Sequence, residues 1–97
     1  MERNELAVKL EIIGEIFEDE RIPTLLNKFQ KGQSVVQFNA IIIQIESVLI
    51  KDKKPTADKL VMAYKGISAE EVDEMEDKEY AKELKDAITT DVMGFFV

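Results

Sequence analysis

Seven carboxylates crowd the ten residues from Glu70 to Glu79: Glu70, Glu71, Asp73, Glu74, Glu76, Asp77 and Glu79. Carboxylates can hold a divalent cation or move a proton, but each task needs its own spacing. A calcium loop places acids at alternate positions ahead of a glycine, and that order is missing. The acids also crowd one stretch instead of forming a separated acid/base pair. A solvated helix face is the stronger reading, with a weak cation site as the lesser one. The chain has no histidine and no cysteine. Their absence removes the usual general base, thiolate chemistry and the commonest transition-metal ligands. Tyr64 and Tyr80 could donate protons, yet both stand in apolar stripes, where the ring packs inward and the hydroxyl stays at the rim. Gly14, Gly32, Gly66 and Gly94 stand alone, so no glycine pattern cradles a phosphate. The expectation is a protein without catalytic residues, cofactor or metal.

The elements that carry these residues read as helices. Leu6, Leu10, Ile13 and Phe17 recur every three or four residues from Asn4 to about Asp19, with Ile12 and Ile16 widening the stripe. Pro23 suits the first turn of a short second helix carrying Leu25, Leu26 and Phe29, which stops at Lys31-Gly32. Residues 35–50 are the ambiguous stretch. Their β-branched and aromatic content favours strand. Val35, Phe38, Ile42, Ile45 and Leu49 nevertheless keep helical spacing over sixteen residues without a turn signal. Period and length predict a buried helix, with a two-stranded hairpin in an α+β fold as the alternative.

After the charged turn Lys51–Pro55, Thr56 can cap a helix bearing Leu60, Val61 and Tyr64 that ends at Gly66. Ser68 and Glu71 spell a capping box, opening a short acidic helix with Val72 and Met75 inward. Asp77 can cap a last helix with Tyr80, Leu84, Ala87 and Ile88 on one stripe. Thr89, Thr90 and Gly94 weaken helicity near the end, so Phe95 and Phe96 are expected in a loop-like tail. The fold class is therefore all-α: a single domain over 1–97 with five to six short helices and residues 92–97 as an interaction tail.

The net charge of −7 is unevenly placed. Residues 1–55 carry 8 basic and 9 acidic side chains, whereas residues 56–97 carry 5 and 11. That field repels phosphate backbones and favours solubility or a basic partner. The start Met1-Glu2-Arg3-Asn4-Glu5 lacks the pattern of a secretion signal, and no apolar run approaches the roughly 20 residues of a membrane span. A cytoplasmic protein with no nucleic-acid or membrane partner is expected. Six short helices also offer more apolar stripe than one small core absorbs. Leu25, Leu26, Phe29, Phe38, Ile42, Phe95 and Phe96 are the candidate partner-binding residues.

The run Tyr64-Lys65-Gly66-Ile67-Ser68-Ala69-Glu70-Glu71-Val72-Asp73-Glu74-Met75, a further helix, and Val92-Met93-Gly94-Phe95-Phe96 together resemble the C-terminal part of tail assembly chaperones. These belong to long-tailed phages and prophages of Gram-positive bacteria. Their pattern is a glycine, a hydrophobic residue, Ser or Thr, any residue, two glutamates and a hydrophobic residue, followed by a helix and an apolar end. The resemblance covers about a third of the chain, and the aromatic residues preceding the glycine are reduced to Tyr64. It implies a non-enzymatic protein that holds the tape-measure protein until the major tail protein assembles around it. It further implies self-association and absence from the mature virion. The alternative from charge alone is a small acidic adaptor or antagonist that covers a basic protein surface.

Overall fold

A computed structural model of the chain describes residues 3–30 and 32–95. Its helices are α1 (Arg3–Phe17), α2 (Arg21–Leu26), α3 (Val35–Asp52), α4 (Lys54–Lys65), α5 (Ala69–Asp73) and α6 (Asp77–Ala87). A π-helical turn, Ile88–Val92, and a 3-10 turn, Met93–Phe95, extend α6. No strand occurs among the described residues, so the ambiguous stretch 35–50 is helical.

Local chemistry explains why α3 overrides its β propensity. The Ser34 hydroxyl accepts from the Gln37 amide at 3.2 Å, and the Gln37 side chain accepts from the Ser34 amide at 3.2 Å. That reciprocal cap satisfies two N–H groups that a helix start otherwise leaves unpaired. Its inner stripe, Ile41, Ile42, Ile45 and Leu49, then gains the burial that the isolated sequence lacks. Ser68 and Glu71 form the second such cap, at the start of α5. Gly66 ends α4 at φ 67°, a left-handed conformation that side chains rarely adopt, and its amide reaches the Met62 carbonyl.

Three boundaries differ from the sequence reading. Lys54 starts α4, with Pro55 in its first turn, so Thr56 lies inside the helix and caps nothing. Its hydroxyl is buried and donates to Glu15 Oε2 at 3.2 Å. Glu76, not Asp77, is the residue before α6, and it makes no side-chain cap. Helix α2 stops at Leu26, well before Gly32, whose φ of 82° serves the connection to α3 instead.

Helix α4 is central, touching α1, α3, α5 and α6, while α2 lies on α3. Ile16, Ile22, Ile42, Ile45, Leu60 and Leu84 are fully buried where these helices meet. Val92 and Met93, assigned above to the tail, are core residues too. The radius of gyration is 13.1 Å, the value of a compact domain of about this length. Among the described residues, no helix is long and apolar enough to cross a membrane.

Candidate helix-binding surfaces

The acidic stretch does not converge. Glu70, Glu71, Asp73, Glu74, Glu76, Asp77 and Glu79 are all exposed. Among the described residues no group of three or more potential ligands is placed to hold a metal ion. Tyr80 is buried and donates to Asp58 Oδ1 at 2.7 Å, while the Lys54 ammonium stands 4.5 Å above its ring. Burial, with the Asp58 carboxylate beside it, pushes the Tyr80 hydroxyl far above its ordinary pKa. A phenol held this firmly protonated braces α4 against α6 and moves no proton near neutrality.

Apolar surface is the chemistry that remains, and it is organised. Helices α1 and α4 leave a groove between them, formed by two adjoining clefts of about 410 and 510 Å³. Val8, Met62, Ala63 and Ile67 line both clefts, and Ile12 adds to the floor of one. Asn4, Glu5, Tyr64, Lys65 and Gly66 surround one end; Glu11, Glu15 and Lys59 surround the other. The Lys59–Glu15 ion pair at 3.2 Å ties the two walls together there. From Glu5 to Glu15 the groove runs about 15 Å, close to three helical turns. Its α1 side carries Glu5, Glu11 and Glu15 with one lysine, Lys9, and its α4 side carries Lys59 and Lys65. Met62 is half-buried, and methionine adapts its shape to whatever packs on it.

A second apolar surface runs along the outside of α3. Val36, Ile43 and Ile50 are 79%, 54% and 37% exposed, and Val35 beside them is 74% exposed. On α1, Leu6 and Leu10 form an exposed edge away from the groove. The expected stripe Leu6, Leu10, Ile13 and Phe17 is therefore only half used, because the buried face is Ile12, Ile13 and Ile16.

The candidate contact residues fall in three places. Leu25 and Ile42 are core, at 8% and 0% exposure, and offer no surface to a partner in this fold. Leu26, Phe29 and Phe38 are half-buried at the corner of α2 and α3, where the two phenyl rings stand 5.0 Å apart. Phe96 and the side chain of Phe95 lie outside the described residues. Sequence reading did not single out Val8, Met62, Ala63 or Ile67, since nothing in the chain says which two helices stand apart. It also passed over the spacing of Val36, Ile43 and Ile50, whose seven-residue interval is visible in the sequence.

Two buried carboxylates complete the inventory. Asp91, carried by the π-helical turn, receives the Lys9 ammonium at 3.4 Å on Oδ1, while its Oδ2 is buried with no hydrogen-bond partner. Glu46, on the side of α3, likewise buries an unpartnered Oε2. Burial raises the Glu46 pKa, partly offset by the Lys85 ammonium. No protein-family model, curated protein or solved structure matches this chain.

Proposed function

We propose that this chain is a non-enzymatic tail assembly chaperone of a long-tailed phage or prophage. In this reading it holds helical segments of the tape-measure protein in the host cytoplasm and is left out of the finished virion. The groove between α1 and α4 carries the proposal. Its floor of Val8, Ile12, Met62, Ala63 and Ile67 suits the apolar stripe of one amphipathic helix about three turns long. Glu5 and Glu11 along its α1 side favour a client with basic residues on that side of the stripe. The net charge of −7 favours keeping such a complex soluble. The Gly66-to-Met75 turn and its resemblance to chaperones of this kind add independent support.

The test is a co-dilution assay with an aggregation-prone tape-measure fragment, followed by light scattering. Stoichiometric protein should suppress scattering, and Val8→Glu, which puts a charge on the groove floor, should abolish that protection. Undiminished scattering with the native protein would sink the reading.

The exposed acids of α5 and the start of α6 favour a second reading, an acidic adaptor that covers a basic protein surface. Binding of that kind weakens steeply with salt and ignores Val8→Glu. Groove binding does the reverse.

A further inference from the structure

A further cleft, of about 440 Å³, opens where the corner between α3 and α4 faces α5 and the first turn of α6. Ile50, Val72, Met75, Tyr80 and Ala81 give it an apolar lining, and Lys54, Asp73 and Asp77 supply its charged groups. It is more enclosed than either cleft of the α1–α4 groove and shares no residue with them. Its volume lies in the range of sites that hold organic groups, far larger than a bare ion needs. The Ser68–Glu71 cap fixes the start of α5 and Val72 is turned inward, which leaves Asp73 exposed beside it. Asp77 stands on the first turn of α6, three residues before Tyr80 and so on the same side of that helix.

The charges in the cleft do not cancel. The Lys54 ammonium donates to Asp58 Oδ1 at 2.7 Å and stands 4.5 Å above the Tyr80 ring, so its charge is already answered. Asp73 and Asp77 make no ion pair or side-chain hydrogen bond among the described residues. Two unanswered carboxylates therefore border an apolar cleft. A purely apolar occupant would leave them unpaired, and a small hydrated cation would leave the lining in water. An aliphatic stem with a cationic head satisfies both demands.

Arginine meets them better than lysine. Its guanidinium is weakly hydrated and offers five donors in a planar fork, enough for two carboxylates at once. The acidic field is also wider than one cation needs, since Glu70, Glu71, Glu74, Glu76 and Glu79 are exposed on the same stretch of chain. That width favours a polypeptide with several basic residues over a free small amine.

We infer that this cleft docks an arginine side chain of a basic partner protein, with the stem on Val72, Met75 and Ala81 and the guanidinium paired with Asp73 and Asp77. The inference rests on the acidic-surface reading for the sign of the partner's charge, and it adds the site and the anchoring side chain. The α1–α4 groove stays open when the cleft is filled.

Calorimetric titration of the full chain with an arginine-containing glycine–serine peptide tests it. A sister peptide carries each guanidinium on a stem two methylenes shorter, with the same charge. The short-stem peptide should bind about tenfold more weakly, because the buried stem is lost. Asp73→Asn with Asp77→Asn should weaken the long-stem peptide by about tenfold, and so should Ala81→Leu, which fills the cleft and leaves every charge in place. Glu70→Gln with Glu79→Gln removes as much charge outside the cleft and should cost less than about threefold. Helical circular dichroism checks that each variant folds. Equal binding of the two peptides, equal losses for the two acid pairs, or native affinity in Ala81→Leu overturns the cleft and leaves the acidic-surface reading standing. Failure of both peptides to bind overturns both. Butylguanidinium bound as tightly as the peptide overturns the assignment to a protein partner.

Discussion

Helices α3 and α6 pack against each other and share one core, but their outer faces differ. Helix α6 buries Tyr80, Leu84 and Ala87 and gives the rest of its length to charged residues such as Lys78, Glu79 and Lys82. Helix α3 buries Ile41, Ile42, Ile45 and Leu49 and then presents Val36, Ile43 and Ile50 to solvent as well. Folding requires only the inner stripe in each case. The outer stripe of α3 lies outside the core, an exposed apolar strip that the charged outer face of α6 lacks.

Substitutions can break or sharpen that contrast. The largest effect belongs inside α6. Leu84→Ala empties a fully buried site and should cost about 3–4 kcal/mol, read as a shift in the urea midpoint. Next comes the segment that extends α6. Lys9→Met leaves the Asp91 carboxylate uncompensated at 10% side-chain exposure and should cost about 2–3 kcal/mol. Joint replacement of Lys9 and Asp91 by apolar residues should recover most of that loss, because neither charge is then stranded.

On α3 the buried edge should respond in the opposite direction. Glu46 binds its proton more tightly in the folded state than in the unfolded one, so its contribution to stability falls as pH rises from the ordinary carboxylate range. Glu46→Gln should therefore raise stability at pH 7, read as a shift in the urea midpoint, with the gain shrinking as the pH falls into the ordinary carboxylate range and the native carboxylate takes up its proton. An opposite trend belongs to Asp19, on the turn between α1 and α2. Its hydrogen bonds with Arg21 hold it down to about 2, so its contribution is present at neutral pH and is lost as the pH falls from the ordinary value of 3.8 through about 2. The smallest stability change is expected for Ile43→Lys on the outside of α3, within about 0.5 kcal/mol, because the side chain is 54% exposed. Equal destabilisation by Ile43→Lys and Leu84→Ala would erase the distinction between the two helices.

Most of the fold was legible in the sequence because it rests on local signals. The stripe of α6, the α3 stripe from Ile42 to Leu49, the Ser68–Glu71 cap and the Gly66 stop all act within a few residues and stand in the structure as expected, whereas Val35, placed on the same α3 stripe, is 74% exposed because it opens the helix beyond the core. Thr56 shows where local reading fails. Its hydroxyl suits a cap, but Glu15, forty-one residues earlier in the chain, claims it instead. The end of the chain fails for a similar reason. Thr89, Thr90 and Gly94 do weaken a helix, yet burial of Ile88, Val92 and Met93 holds the segment in a π-helical turn. Ile42 and Leu25 looked like surplus apolar surface because the sequence cannot show which stripe faces the core. The groove was hidden on the same ground: Val8 sits fifty-four residues from Met62, and only the packing of α1 on α4 sets them on one floor.

In the chaperone reading, that floor receives a client helix. Methyl and amide chemical-shift mapping answers this directly, with isotope-labelled protein titrated by a helical tape-measure segment. The shifts should gather on Val8, Ile12, Met62, Ala63 and Ile67, leaving Val36 and Ile43 unmoved. Perturbations confined to the acidic residues of α5 and α6, with the groove silent, would contradict it.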